Sequence, residues 1–323
     1  MARSHGFALV RLGYEKLEPA PSCGTDSQHA LRGVEAEFAR TVAAWLDGGA
    51  APAEIGSTPA RTAWDEQVLH YQVAGILGGT RLEMTLLLPE GRRPAPVVIC
   101  NHGDIELDHP ALRHKRRIRD MSVAREFLRL GVAVAMPARR GVAFSEGTYP
   151  KSFRAVDADA TYKARVHAQD ILPALDALRG RPEIDAERIL LAGHSAGGYS
   201  ASYLASTGPK GVIGAVNFAG GRTDSTAASG PGYLNKMMVD GFSEFGRGAK
   251  LPALFVFAEG DSRYSVQTIR ASHEAFVAAG GQGQLVLAPP LGRDGHQVHL
   301  VPEHWRGALK SYLSLVGAVH ASP

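Results

Sequence analysis

The hexapeptide Gly193-His194-Ser195-Ala196-Gly197-Gly198 carries the densest chemistry in the sequence. It directly follows an apolar run, Arg188–Ala192, that reads as a buried strand, and directly precedes Ala196–Ala205, which reads as a helix. A serine on such a strand-to-helix turn is a nucleophile elbow. The turn is strained and leaves no room for side chains two residues either side of the serine, a need that Gly193 and Gly197 meet. It lifts the hydroxyl out of the sheet, beside a helix N-terminus whose N–H groups and dipole favour developing negative charge.

A serine hydroxyl is a poor nucleophile without a base, and the base needs an orienting acid. On an elbow the chain order is serine, acid, histidine. The strand Leu254–Ala258 leads into Glu259-Gly260-Asp261, and the strand Gln284–Ala288 into a loop holding Gly295-His296. Both loops follow strand ends, where open α/β sheets build their sites. Asp261 is the expected acid, with Glu259 and Asp294 as rivals; the competing reading of Asp261 is a turn or helix-capping aspartate. His296 is the expected base, because Gly295 permits a tight backbone approach. Its rivals are His299 and His304, and its competing reading is a solvated loop histidine. For the oxyanion, one N–H is expected from Ala196 and a second from Asp104 or Gly103, in the loop Asn101-His102-Gly103-Asp104. His102 is expected to hold that loop by a side-chain hydrogen bond. No His/Cys/Asp cluster has zinc spacing, and no glycine-rich phosphate loop is present, so neither metal nor cofactor is expected.

The elements that must position these groups follow a strand–helix grammar from residue 66. Gln67–Val73 and Arg81–Leu88 read as a strand pair joined at Gly78-Gly79. Pro96–Cys100 and Val132–Pro137 are buried strands on either side of a helix, Met121–Leu130. Tyr162–Leu178 reads as a helix kinked at Pro173, Val212–Phe218 as a strand, and Val266–Val277 as a helix. Pro302 is expected to open the last helix, with Trp305, Leu309, Leu313 and Val316 inward. The alternation implies a mostly parallel central sheet with helices on both faces. Before it, Leu31, Val34, Phe38, Val42, Trp45 and Leu46 fall on one helical face. Residues 1–65 are thus expected as an N-terminal extension with one helix, and 66–323 as one catalytic domain.

This order of motifs resembles the α/β-hydrolase superfamily. Within it the chain looks most like the dienelactone-hydrolase-like and prolyl-oligopeptidase-like serine esterases. A second marker is Arg140-Gly141-Val142-Ala143-Phe144-Ser145-Glu146-Gly147, similar to an R-G-x-x-x-S-x-G segment of those relatives. The resemblance implies Ser195 as nucleophile, Asp261 as acid and His296 as base, in an enzyme that cleaves carboxylic esters through an acyl-enzyme. The chain departs from it in carrying serine rather than the cysteine of true dienelactone hydrolases, and in placing the Asp104 carboxylate beside the oxyanion loop. Peptidase, amidase or acyltransferase chemistry on the same fold, or a non-catalytic binding protein, are the alternatives.

Composition narrows the partners. The 323 residues are 45% hydrophobic and 21% charged, the balance of a globular protein with a large core. A net charge of +3 gives no ground for nucleic-acid or membrane binding, which leaves a small-molecule ester as the expected partner. No apolar run approaches the roughly 20 residues of a bilayer span, and the Phe7–Val10 run is too short for a signal peptide. A cytoplasmic protein is expected, or a secreted or periplasmic one if the true N-terminus lies upstream. Cys100 reads as a buried thiol and Cys23 as an exposed one. The basic run Arg113–Arg119 reads as a solvated helix start, and the segment with Tyr233, Leu234, Met237, Met238, Phe242 and Phe245 equally as a helix or an apolar pocket wall.

Overall fold

The computed structural model describes residues 64–74, 79–91, 93–104, 117–149, 159–223 and 232–319, with 11–12, 40–44, 47 and 54–55. The chain divides into two compact units, Met1–Arg61 and Thr62–Pro323. In the first, Arg11–Leu12 and Glu54–Ile55 pair in parallel, and residues 40–44 are helical. The rest of the expected N-terminal helix, Cys23 and residues 113–116 of the basic run lie outside the described residues.

The second unit is built on an eight-stranded sheet. In chain order its elements are β1 (Trp64–Val73), β2 (Thr80–Pro89), β3 (Ala95–Asn101), α1 (Met121–Arg129), β4 (Ala133–Pro137), α2 (Tyr162–Arg179), β5 (Ile184–His194), α3 (Ala196–Ser206), β6 (Val212–Phe218), α4 (Lys236–Gly248), β7 (Ala253–Ala258), α5 (Val266–Ala278) and β8 (Gly283–Ala288). Two 3-10 turns, Gly295–Leu300 and Pro302–His304, lead into α6 (Arg306–Leu315). The spatial order is β8-β7-β6-β5-β3-β4-β2-β1. β2 runs antiparallel to both neighbours, and the pairings from β4 to β8 are parallel. Parallel strands therefore deliver the loops after β3, β5, β7 and β8 to one edge of the sheet.

Burial on both faces explains why β3 reads as a continuous apolar run. Val98 and Cys100 join one core with α1, α4, α5 and α6, while Val97 and Ile99 join a second core with α2 and α3. Alternation along a strand sends successive side chains to opposite faces, so each core needs its own helix layer. α4 docks through an aromatic chain: Phe242 and Phe245 lie 5.9 and 4.9 Å from Tyr199, and Phe242 lies 5.3 Å from Phe255. Each buried phenylalanine contributes about 1.5–3 kcal/mol, so this segment is a core helix rather than a pocket wall. Among the described residues no helix is long and apolar enough to cross a membrane.

α2 runs from Tyr162 to Arg179 with Pro173 inside it, over the span that its helical spacing predicts. The C-terminal stretch differs from expectation. The last helix does not open at Pro302: Trp305, at φ −134° and ψ −12°, separates the 3-10 turn from α6. Its indole N–H donates to Val298 O at 2.9 Å, and its ring meets Phe218 edge-on at 4.8 Å, so the break lets a buried indole hold the chain before it. Val316 is only half-buried, whereas Leu309 and Leu313 are in the core.

α6 is tied to the sheet by Tyr312. Its hydroxyl donates to Pro252 O and accepts the Ala215 N–H, each at 2.8 Å, in a space left open by Gly214. Tyr312→Phe removes both bonds and leaves the Ala215 N–H its longer bond to Pro252 O at 3.2 Å, at an expected cost of about 0.5–1.5 kcal/mol. Urea unfolding is expected to show a lower midpoint with an unchanged slope.

Candidate active site

The elbow is a place where backbone meets backbone. Ser195 has φ 53° and ψ −126°, a conformation that costs a non-glycine residue about 1–3 kcal/mol. It is held by Ser195 N–H donating to Phe218 O at 2.9 Å and Tyr199 N–H donating to Ser195 O at 3.0 Å. A Cβ added at Gly193 would lie 2.5 Å from the Gly197 carbonyl carbon and 2.7 Å from Asn101 O. One added at Gly197 would collide with the carbonyl oxygens of Asn101 and His102. The elbow glycines thus bring the β5–α3 turn onto the loop after β3.

His296 lies in the 3-10 turn that follows β8. Its Nε2 is 2.9 Å from Ser195 Oγ, and its Nδ1 is 3.1 and 3.2 Å from the two oxygens of Asp261. The Asp261 side chain is 0% exposed and accepts the N–H groups of Arg263 at 2.7 Å and Tyr264 at 3.2 Å. Asp294, a rival acid, has a different job. It accepts the Ser262 N–H and the His296 N–H, each at 2.9 Å, and the Ser262 hydroxyl at 2.6 Å. Burial raises the Asp294 pKa, but these donors outweigh it and keep the carboxylate ionised. Gly295 N–H donates to Gly260 O at 3.0 Å, and a Cβ there would sit 2.6 Å from Glu259 O. Asp294 and Gly295 therefore stitch the loop of the base to the loop of the acid. Glu259 contributes its backbone N–H to Ala288 O, and the structure brings Asp261, not Glu259, to the imidazole. His299 and His304 are not brought to Ser195: His299 stacks on His194, with ring centroids 3.7 Å apart, and His304 ends the second 3-10 turn.

The loop after β3 is fixed by its carbonyls. Asn101 Nδ2 donates to Ala192 O at 2.9 Å, across the β3–β5 pair. His102 Nδ1–H donates to Gly103 O at 2.7 Å, and its Nε2 accepts the Arg139 N–H at 3.2 Å. The Arg139 guanidinium, 2% exposed, donates to His102 O and Gly103 O, each at 2.7 Å. In a planar trans peptide the N–H points opposite to the C=O. Pulling these two carbonyls onto Arg139 turns the N–H groups of Gly103 and Asp104 the other way. A Cβ added at Gly103 would lie 3.3 Å from Ser195 Cβ, so the loop passes directly over the nucleophile. Ala196 is the first residue of α3, where a backbone N–H has no intrahelical acceptor. Arg139 was not legible as a site residue. The signal was an arginine directly after a buried strand, next to the Arg140-Gly141 marker. That marker is structural: Arg140 forms a bidentate pair with Asp170, and Ser145 Oγ donates to Ala138 O at 2.7 Å. Asp104 accepts Tyr149 OH at 2.7 Å and pairs with Lys163. Of the basic run, Arg117 and Arg119 pair with Glu83 and Glu66. Among the described residues no cluster of three or more His, Cys, Asp or Glu has metal-holding geometry.

Four histidines around the site share one electrostatic state. Burial holds the pKa values of His102, His167 and His299 well below the ordinary 6.5, and that of His194 down to about 4. They are neutral when folded and take up protons on unfolding, so the unfolded chain binds more protons below pH about 6.5. Their contribution to stability is complete above that pH and is lost as the pH falls from about 6.5 towards 4, where His194 protonates in the folded chain as well. The melting temperature is expected to be flat above pH about 7 and to fall steeply below 6.5, as read by calorimetry across pH. A melting temperature unchanged between pH 7 and pH 5 would contradict this state.

No protein-family model and no curated protein matches the chain. Solved structures do. An esterase of Pyrococcus furiosus superposes with a TM-score of 0.57 at 16% identity, covering 80% of this chain and 96% of that one. The acylaminoacyl peptidase of Pyrococcus horikoshii gives 0.57 at 16% identity over 80% of this chain but only 43% of its own. A dienelactone-hydrolase-like promiscuous phosphotriesterase from metagenomic libraries gives 0.52 at 18% identity, over 78% and 98%. This likeness, added to the strand order and the elbow after β5, makes the chain an α/β-hydrolase in fold.

Proposed function

We propose that the protein is a serine hydrolase that cleaves carboxylic esters of small molecules through an acyl-enzyme. The observation that carries the reading is the unbroken contact chain from Asp261 through His296 to Ser195. His296 Nε2 takes the Ser195 proton as Oγ attacks the ester carbonyl carbon. Asp261 accepts the Nδ1–H, fixes the tautomer and stabilises the imidazolium. The Ala196 N–H, with that of Asp104 or Gly103, receives the oxyanion. The imidazolium then protonates the leaving alcohol, and a water activated by the same histidine releases the acid. Neighbours named as esterases support the hydrolase part of this reading at the level of fold. The fold also hosts a peptidase among those neighbours, so the ester half is tested by rate: p-nitrophenyl esters are expected to be cleaved far faster than a matched p-nitroanilide.

Ser195→Ala is expected to abolish fluorophosphonate labelling and ester cleavage while the circular dichroism stays unchanged. His296→Ala and Asp261→Asn are each expected to lower kcat by roughly 10³-fold or more, and Glu259→Gln by less than about tenfold. Activity in Ser195→Ala within tenfold of wild type would end the mechanism. Dialysis against EDTA is expected to leave the rate unchanged, and loss on chelation with recovery on adding zinc would point to a metal site.

A further inference from the structure

His194 occupies the variable position of the elbow, and the esterase mechanism gives it nothing to do. Its surroundings are nevertheless specific. Its Nε2 is 2.8 Å from the backbone carbonyl oxygen of His296. A carbonyl only accepts, so His194 is the Nε2–H tautomer and donates. Its Nδ1 faces the loop after β3, where a Cβ added at Gly103 would sit 3.2 Å away. Its ring stacks on His299 at 3.7 Å and 26°, and meets the His296 ring at 5.0 Å and 57°. One side chain thus belongs to the nucleophile turn, packs on the oxyanion loop and is bonded to the backbone of the base.

We propose that His194 is a positioning residue that holds His296 at the nucleophile through the backbone carbonyl of the base, with His299 bracing its ring. The proposal rests on the esterase reading and adds to it a tie on the His296 carbonyl, beside those of Asp261 on the ring and Asp294 on the N–H. Asp261 orients the imidazole ring; His194 orients the backbone from which that ring springs. Asp294 already holds the other end of this residue's backbone by accepting the His296 N–H at 2.9 Å, and the bond from His194 fixes its carbonyl. A shift of about 1 Å in a reacting group costs on the order of 10²-fold in rate, so a bond to the base's own peptide has catalytic leverage.

The neighbours of the pair keep the donor in place. The charged form of His194 is opposed by burial first and then by His296, against weaker support from Asp294 and from the bond to the His296 carbonyl. His299 faces His194, His296 and Asp120, whose Oδ2 is 3.8 Å from its Nε2; its Nδ1 is buried with no hydrogen-bond partner among the described residues. Two neutral rings stack without repulsion, and neither needs a counter-ion.

The test compares His194→Phe, which keeps an aromatic ring and loses the donor, with His194→Gln, whose amide N–H reaches the same place. On p-nitrophenyl acetate, His194→Phe is expected to lower kcat by about 10- to 100-fold with KM changed by less than about threefold, and His194→Gln to recover to within about fivefold of wild type. A fall under about tenfold in His194→Phe, or a His194→Gln variant as slow as His194→Phe, overturns the proposal. Should His194→Phe fail to fold, nitrogen-15 NMR of the wild-type histidines decides. His194 is expected as the Nε2–H tautomer, with no titration near the ordinary pKa of 6.5. An Nδ1–H tautomer or an ordinary titration overturns it. Wild-type protein that neither labels with fluorophosphonate nor cleaves any ester would defeat the esterase reading instead, and the tautomer would still be decided by NMR.

Discussion

The active-site end of the molecule depends on how closely two pieces of backbone approach. The β5–α3 turn lies on the carbonyls of Asn101 and His102, at a separation that excludes a Cβ at Gly193 or Gly197. This fixes the distance between the serine and the loop that crosses above it. It also fixes the sheet, since β3 and β5 are neighbours paired from Val97↔Ile189 to Asn101↔Gly193. The strain at Ser195 persists because strand pairing, the Phe218 carbonyl and α3 all determine its backbone together. Relaxing the serine would require the β3 loop to retreat, and the β3 loop is held from its far side by Arg139.

What the sequence made legible were features that the backbone forces onto residue type. Glycine at 193 and 197 is demanded by contact, and glycine at 295 by the carbonyl of Glu259, so the elbow and the base loop could be read before any fold was known. The choice of Asp261 over Glu259 was harder, because both point to one side of an extended segment. In the structure Gly260, at a positive φ of 72°, precedes Asp261, and it is Asp261 that collects two backbone N–H groups and meets the imidazole. What could not be read depends on side chains meeting across long stretches of chain. Arg139 reaches carbonyls 37 and 36 residues earlier, and His194 bonds a peptide 102 residues later. Neither pattern has a periodicity. The start of the last helix was misread for a related reason: proline favours a first helical turn, but a buried indole with its own acceptor outweighed local preference at Trp305.

Charge around the site is arranged by sign and by depth. The buried carboxylate of Asp261 accepts two backbone N–H groups and faces one imidazole. The buried cation, Arg139, lies on the far side of the loop after β3, where its donors are taken by the His102 and Gly103 carbonyls. The surrounding histidines stay neutral, so they add no fixed charge that would disfavour an imidazolium at His296.

Asp104 is the group that this arrangement must neutralise. Its peptide is one of two candidates for the proposed oxyanion N–H, and under that proposal a bare carboxylate there would oppose the developing negative charge. Burial alone would push its pKa up, and Lys163 and Arg139 bring it back below the usual carboxylate value, with Tyr149 adding a hydrogen bond. The carboxylate therefore stays ionised and is cancelled by a paired ammonium rather than by protonation. A protonated Asp104 would make the field at the loop vary with pH across the carboxylate range. The ion pair keeps that field constant. The side chain is 43% exposed, so the pair is partly screened by solvent and is worth little as a stabilising contact. Its value lies in letting an acidic residue sit beside an oxyanion loop without adding a net charge.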